Sequence, residues 1–509
     1  MAGEYKDFAK IMQERLDDVS PSFCLAKWLQ VSLHLPQGRT HSCYHPPSHK
    51  IPLKNLDDNP SLLHNTPKKI EERRLMKEGQ RPEGCSYCWR IEDNSNEHSD
   101  RHYRSSEWWA TEAFDEVKNN NFDYNVIPRY VEVNFNQSCN FKCMYCSPHL
   151  STSWEEEIKQ HGGYVLDGMV HNDLSALTDK GLMPLKVAND NNPYVKAFWK
   201  WWPTIYRKLR IFRMTGGEPL MDKNTFKILD YVNENPHGQL ELSITSNMCP
   251  PDQKLFDKFL YKVQKLEEIR TYEDKENFNI YSNNYWYVDK GFKHFWLYIS
   301  LDAVGEQAEY IRTGLEYDRL LKNTKEFLNE TKYTTVSFIN TFNILSIPSF
   351  KNFLQLILDL RKEFGAKNQK EFLIDPQSNQ NEQDHGIVHK KYKQEKFQRI
   401  FFDIPLLTYP NWFVAQNADS ELIKILEDCL DFMIQNEQES DYHLTFEGFK
   451  PHEISKLKRN IDIIKQGIPE NEKKLNKLQF KNFIQQYDYR RSLSFNDTFP
   501  EMSNFLKDI

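Results

Sequence analysis

The stretch YVEVNFNQSCNFKCMYC, residues 130–146, decides the prediction of the fold. Val131, Val133 and Phe135 alternate with more polar residues, which indicates a β-strand with one apolar face. In α/β proteins, ligands bind at the carboxyl ends of such strands. Directly after this strand come three cysteines at the spacing C-x3-C-x2-C: Cys139, Cys143 and Cys146. We therefore expect three thiolate ligands on one loop at the carboxyl end of a strand.

Three thiolates on one loop fit two kinds of metal centre. Thiolate is the usual protein ligand of iron–sulfur clusters, and three thiolates can hold three irons of a cubane while the fourth iron stays open to a small chelator. A three-cysteine zinc site, completed by a distant histidine, is the alternative. The spacing by itself leaves both open.

Composition sets the cellular context in which these thiols are expected. The chain has 509 residues, with 66 basic and 73 acidic side chains and a net charge of −7, and its length predicts about three structural units. Nine cysteines are too few for a disulfide scaffold. The sequence shows no targeting signal and no run of about 18 apolar residues. We therefore expect a cytoplasmic protein with free or metal-bound thiols and no membrane partner. Its mild acidity disfavours nucleic acid as a partner.

A second motif follows the next predicted strand. Residues 209–214 are apolar enough for a buried strand and run into Gly216, Gly217, Glu218 and Pro219. Adjacent glycines let the backbone approach a ligand closely. The carboxylate of Glu218 suits a cationic amine. A plain strand-to-helix turn is the alternative.

The cysteine spacing, the tyrosine before the last cysteine and the Gly-Gly-Glu-Pro motif together resemble the radical S-adenosylmethionine (radical SAM) superfamily. The resemblance implies a 4Fe–4S cluster whose open iron chelates the amino and carboxylate groups of SAM. It also implies a 5′-deoxyadenosyl radical that abstracts hydrogen from a substrate, and a flavodoxin- or ferredoxin-type electron donor. By this resemblance, the residues expected near SAM are Tyr145, Gly216, Gly217, Glu218, Pro219, Ser246, Asn247, Ser300, Asp302, Arg312 and Asn343.

Further strands and helices alternate along the chain. Strands are predicted at 240–245, 295–301 and 334–345, and a last one at 372–374 or 401–407, with a polar, aromatic insertion at 271–291. Strands that alternate with helices predict a parallel sheet. With the resemblance, this favours an α/β fold built as a partial (β/α)6 radical SAM barrel.

Four more cysteines precede this barrel. The pattern C-x13-G-x4-C around Gly38 resembles the opening of the twitch and SPASM modules that carry auxiliary clusters. A later C-x2-C-W, followed by Glu92, Ser99 and Arg101, resembles phage-encoded twitch-containing radical SAM proteins. Four cysteines can hold a complete 4Fe–4S cluster, and a four-cysteine zinc site is the alternative. The ligands of this second site are predicted to be Cys24, Cys43, Cys85 and Cys88. In the family such modules normally follow the barrel, whereas this one precedes it.

The chain thus divides into an auxiliary cluster module at 1–125, a barrel at 126–410 and a helical cap at 411–509. No catalytic residue is assigned. Cys249 is a candidate hydrogen donor to a substrate radical, and small buried filler is the alternative. We expect a radical SAM enzyme that acts on a peptide or protein side chain. The alternatives are a radical SAM enzyme acting on a small molecule or nucleotide, and a non-catalytic zinc-binding interaction protein.

Overall fold

A computed structural model describes residues 2–95, 97–269, 292–331, 334–364, 399–437 and 447–505. The predicted insertion at 271–291 and the candidate strand at 372–374 lie outside these ranges. The strands are β1 Gln30–His34, β2 Arg39–His41, β3 His49–Lys50, β4 Tyr130–Asn134, β5 Lys142–Cys143, β6 Tyr164–Leu166, β7 Met169–His171, β8 Ile211–Thr215, β9 His237–Ser246, β10 Phe292–Ser300, β11 Arg312–Thr313, β12 Thr335–Ile339 and β13 Ile400–Asp403.

The helices are α1 Ala2–Asp17, α2 Leu25–Leu29, α3 Pro67–Lys77, α4 Ser86–Asn94, α5 Asp100–Ser106, α6 Trp108–Thr111, α7 Phe114–Asn119, α8 Thr152–His161, α9 Leu174–Asp179, α10 Pro193–Tyr206, α11 Lys223–Glu234, α12 Gln253–Glu268, α13 Gly305–Ile311, α14 Tyr317–Glu330, α15 Phe350–Phe364, α16 Ser420–Gln435, α17 Pro451–Gln466, α18 Glu470–Arg491 and α19 Phe495–Thr498. In the described part of the chain, no helix is long and apolar enough to cross a membrane.

The α/β fold class is confirmed by one large, mainly parallel sheet. Strands β4, β8, β9, β10, β12 and β13 lie side by side in chain order, and each is parallel to the next. Helices connect successive strands, as parallel neighbours require. The strand expected at 401–407 corresponds to β13. Closure of this sheet into a partial barrel stays a prediction.

The two faces of the parallel sheet differ in polarity. Side chains such as Phe212 and Met214 of β8 are buried in the main hydrophobic core. Their neighbours Arg213 and Thr215 are half-buried on the other face. The same alternation runs along β10, where half-buried Tyr298 lies between buried apolar residues. Strands covered on both faces read as continuous apolar runs. The alternation therefore indicates a helix-covered apolar face and a polar face, which we call the inner face.

The N-terminal region adds three strands to the same sheet. Strand β1 pairs in parallel with β4, in a register that places His34 beside Asn134, and β2 and β3 continue antiparallel. Gly38 has a positive φ of 61° in the turn between β1 and β2, a conformation that glycine adopts without strain. The N-terminal helices enclose a second hydrophobic core, which includes Cys24, Cys85 and Cys88. The region boundaries at 125/126 and 410/411 stay predictions.

Candidate functional site: two groups of cysteines

Local pairing fixes the position of the three-cysteine loop. The loop leaves the carboxyl end of β4 and enters β5, which pairs with β11 so that Cys143 lies opposite Arg312. The backbone N–H of Met144 also donates to the carbonyl of Ile311, at 2.9 Å. Burial, followed by the neighbouring Cys143, raises the pKa of Cys146 to about 12. Because metals bind thiolates, metal uptake here would release protons.

The Gly-Gly-Glu-Pro turn packs directly against the start of this loop. Gly216 has a φ of 110°, and a Cβ there would lie 2.1 Å from Oδ1 of Asn134. A Cβ on Gly217 would lie 2.3 Å from the carbonyl oxygen of Ser138. The backbone N–H of Glu218 donates to that same carbonyl at 2.7 Å. Both glycines are therefore required by the contact with residues that precede Cys139.

Glu218 is buried and joins the ends of two strands. Its carboxylate accepts hydrogen bonds from Ser246 Oγ at 2.8 Å and from the backbone N–H of Asn247 at 2.7 Å, and also from that of Leu220 at 3.0 Å. Burial raises the pKa of Glu218 to about 7. Pro219 follows in a short 3-10 turn. The structure thus brings Glu218, Ser246 and Asn247 together, as expected for one site.

A buried polar network lies on the other side of the loop. Arg312 forms an ion pair with Asp302 at 2.8 Å and donates to the hydroxyl of Tyr145. It also donates to Sγ of Cys143, at 3.5 Å. The hydroxyl of Tyr145 donates to Asp302 at 2.7 Å. These four residues, far apart in the sequence, meet at the cysteine loop.

The remaining predicted residues lie in more varied surroundings. Ser300 is half-buried at the carboxyl end of β10. The Asn343 side chain closes a local turn, because it donates to the carbonyl of Thr341 and accepts from the N–H of Leu345. Cys249 is buried, and its thiol donates to the carbonyl of Glu316 at 3.4 Å.

The loop and its neighbours fit a site that a polar ligand completes. Two buried side-chain oxygens, Asn134 Oδ1 and Asn340 Oδ1, have no hydrogen-bond partner in the described part of the chain. Both lie at the carboxyl end of a parallel strand: Asn134 ends β4, and Asn340 directly follows β12. Buried polar atoms are nearly always satisfied in native proteins, so orphaned acceptors point to a missing partner. The sequence prediction did not include these two asparagines.

The other four thiols share one cavity. Cys24, Cys43, Cys85 and Cys88 line one small cavity that is partly open to solvent. Among the described residues, no three His, Cys, Asp or Glu side chains are grouped in a way that could hold a single metal ion. Four thiols around one space are compatible with a four-cysteine zinc site and with an iron–sulfur cluster.

A buried network of charged residues supports this cavity. Arg101 is buried and makes a bidentate contact with Glu92, at 3.0 Å for both nitrogens. Ser99 also donates to Glu92, and Arg101 reaches the carbonyl of Phe23, next to Cys24, at 3.0 Å. The residues of the predicted C-x2-C-W, Glu, Ser, Arg pattern therefore form one connected unit beside the thiols.

A buried lysine beside the thiols was missed by sequence reasoning. Lys27 lines the cavity and forms an ion pair with Glu72 at 2.6 Å. Burial opposes its charge, but Cys85 and Glu72 outweigh burial and raise the pKa of Lys27 above its usual value. One signal was available: Lys27 is the single charged residue in the otherwise apolar helix Leu25–Leu29.

The two groups of thiols lie at opposite ends of neighbouring strands. Helix α2 leads directly into the amino end of β1, and the Tyr44 hydroxyl, next to Cys43, is hydrogen-bonded to that of Tyr130 at the start of β4. The three-cysteine loop instead follows the carboxyl end of β4. Five-residue strands rise roughly 16 Å, at about 3.3 Å per residue. The inner face of the sheet therefore runs between the two groups.

These features define an α/β protein with a largely parallel sheet and two groups of cysteines. No protein-family model matches the chain, and no curated protein matches its sequence. Two solved structures of SuiB from Streptococcus suis share distant similarity. The one bound to the precursor peptide SuiA has a TM-score of 0.26 and 12% identity, covering 65% of this chain and 60% of that chain. The one bound to S-adenosylmethionine has a TM-score of 0.27 and 13% identity, covering 75% and 74%. At TM-scores this low, the similarity to SuiB carries no argument about the function of this chain.

Proposed function

We propose that this chain is a radical SAM enzyme with two iron–sulfur clusters. One observation supports this proposal above the others: the cysteine loop and the Gly-Gly-Glu-Pro turn are in direct contact. Gly217 packs on the carbonyl of Ser138, one residue before Cys139, and Glu218 is bonded to the same carbonyl. A zinc site would need the thiols alone, whereas this contact also brings a buried carboxylate to the loop.

In the proposed site, Cys139, Cys143 and Cys146 hold a 4Fe–4S cluster with one open iron. When bound, the cluster and SAM supply a 5′-deoxyadenosyl radical that abstracts hydrogen from a substrate. Glu218, joined to Ser246 and Asn247, would receive the SAM amine. Ser300, Asp302, Arg312 and Asn343 are proposed to orient the rest of SAM, with Tyr145 ordering Asp302 and Arg312.

For the second site we propose an auxiliary 4Fe–4S cluster held by Cys24, Cys43, Cys85 and Cys88. The four thiols line one cavity, which supports a single shared centre, and iron analysis distinguishes a cluster from zinc. With four protein ligands, this centre would have no open iron. It would serve to transfer electrons or to order the protein, and not to chelate SAM.

The inner face between the two sites is the proposed substrate surface. Arg213 lies there within 3.0 Å of Thr245 Oγ1, 3.6 Å from Glu132 and 4.6 Å from the ring centre of Tyr298. A half-buried face with paired charges and aromatic rings suits a peptide or protein side chain. We further propose a cytoplasmic location and a flavodoxin- or ferredoxin-type electron donor.

Metal analysis and SAM cleavage test this proposal. Anaerobically reconstituted full-length protein should contain about eight irons, absorb visible light and form 5′-deoxyadenosine from SAM after reduction by dithionite. The Cys143→Ala variant should form none and retain about four irons. Cys429→Ala, which changes a buried thiol in α16, serves as the matched control and should retain both. A colourless, zinc-containing protein would instead establish the zinc-binding alternative.

A further inference from the structure

We propose that Lys27 sets the reduction potential of the auxiliary centre by holding a buried ammonium group against its thiolates. The inference rests on the proposed function in one respect, namely that the four thiols hold an iron–sulfur cluster. It assigns a tuning role to a residue that provides no metal ligand. The contacts and burial of Lys27 carry the argument.

Lys27 is almost fully shielded from solvent, which would otherwise screen its charge. It is 2% exposed and lies in α2, whose five residues are all buried. It lines the same cavity as the four thiols. Its hydrogen-bond partner is the carboxylate of Glu72, at 2.6 Å. The ammonium group is therefore buried beside the proposed cluster ligands, with one carboxylate as its partner.

The other cations near the cavity are arranged differently. Arg101 is bound on one side by Glu92 and lies 3.2 Å from Asp17. Arg104 is paired with Glu107. Both arginines also line the cavity, and each is paired with a carboxylate. Arg101 lies between two carboxylates, Glu92 and Asp17, whereas Lys27 is paired with Glu72 alone among the described residues.

A second buried lysine, Lys69, adds little positive charge, because burial and the nearby Arg73 and Lys27 lower its pKa well below the usual value. Its side-chain nitrogen lies 2.8 Å from Nδ1 of His64 and 3.5 Å from the carbonyl oxygen of His41. Glu72 is the carboxylate paired with Lys27, so these two residues set the local balance of charge.

This balance determines how easily the centre gains an electron. A 4Fe–4S cluster with four thiolates is anionic, and reduction adds negative charge at a site of low dielectric constant. A nearby cation stabilises the reduced form, and hydrogen bonds to ligand sulfur act in the same direction. Lys27 is therefore expected to raise the reduction potential, and Glu72 to lower it.

The experiment is an EPR-monitored redox titration of full-length protein in which Cys139, Cys143 and Cys146 are all replaced by alanine. Only the auxiliary cluster then contributes to the EPR signal. Lys27→Met should make reduction at least tenfold less favourable, a downward shift of about 59 mV for one electron. Lys27→Arg keeps the charge, so its reduction potential should differ from that of the parent by less than half of that shift. Glu72→Gln removes the opposing charge and should shift the potential upward.

Lys68→Met is the matched control, because Lys68 lies beside Lys69 on α3 but is exposed to solvent. Its potential should equal that of the parent. Equal potentials for the parent, Lys27→Met and Glu72→Gln, at equal iron content, would overturn the inference and leave the proposed function standing. If Lys27→Met takes up no cluster, the potential of Glu72→Gln tests the inference instead. A Glu72→Gln potential at or below that of the parent refutes the tuning role of Lys27. A four-thiol site that holds zinc and no iron overturns the auxiliary cluster itself.

Discussion

Replacement of Glu157 by glutamine should loosen the three-cysteine loop from a distance. Glu157 is buried in α8, and its carboxylate accepts from the hydroxyl of Tyr164 and from Arg491, each at 2.6 Å. Lys142 lies 3.1 Å away and directly precedes Cys143. One carboxylate thus links the C-terminal helix α18 to the strand that carries the central cysteine.

Arg491 strengthens this link from the other strand of the pair. It donates to Thr313 Oγ1 at 3.1 Å, and the hydroxyl of Tyr487 is hydrogen-bonded to the same Thr313. Thr313 belongs to β11, which pairs with β5 at Cys143. The C-terminal helix therefore fixes both strands that position the loop.

Removal of one partner from a buried charge cluster costs about 3–5 kcal/mol. Glu157→Gln keeps an amide oxygen that still accepts hydrogen bonds, so we expect about 3 kcal/mol. For a chain of this size, at about 2 cal/mol/K of unfolding entropy per residue, that corresponds to a fall of roughly 3 °C in the thermal midpoint of the metal-free protein. Because the loop is held by the same contacts, iron at the three-cysteine site should also be lost faster to a chelator.

The neighbouring residue provides the control for this experiment. Glu156 is exposed on the same helix, and Glu156→Gln removes the same charge at the surface. Its thermal midpoint and its rate of iron loss should match those of the parent. If Glu157→Gln behaves like Glu156→Gln in both measurements, the α18 contacts do not hold the loop and the reasoning is wrong.

Three further substitutions test the site. Burial raises the pKa of Glu218 to about 7, so ionisation of this carboxyl opposes folding. Between pH 4.5 and 7, Glu218 should therefore lower the free energy of unfolding of the metal-free protein by about 3 kcal/mol. Urea unfolding should show that this contribution is absent in Glu218→Gln. Gly217→Ala places a Cβ 2.3 Å from the Ser138 carbonyl, so the turn must move off the loop and SAM cleavage should fall to background. Arg101→Met leaves the half-buried Glu92 without its bidentate partner, which should cost about 3 kcal/mol at most and deplete iron at the auxiliary site.

Local sequence patterns predicted the parts of the fold that depend on local chemistry. The alternation of residues 130–135 matches β4, and the polar residues after apolar runs match the ends of β9 and β10. Gly216 and Gly217 were predicted to let the backbone approach a ligand closely, and the structure instead shows them packed against Asn134 and the Ser138 carbonyl. The periodicity of apolar residues and the position of glycines each depend on a few neighbouring residues, so a short stretch of sequence is enough to predict these features.

Long-range pairing could not be predicted in this way. Strand β1 pairs with β4, which lies 100 residues further along the chain, and neither sequence specifies the other. Glu157 and Arg491 meet across 334 residues. The charged α18 was predicted only as part of a helical cap, because no periodic pattern distinguishes an arginine that reaches a buried carboxylate from one in solvent.

The pairing of β1 with β4 also accounts for the unusual order of the chain. The proposed cluster module precedes the proposed barrel, and β1 joins this N-terminal region to β4. Strand β4 also leads to the three-cysteine loop. Because the pairing is parallel, Cys24 and Cys43 are held near the amino ends of the strands and the loop is held at the carboxyl ends. A module joined to β4 in this register can therefore face the three-cysteine loop across the inner face, and the chain order is no obstacle to a two-cluster enzyme.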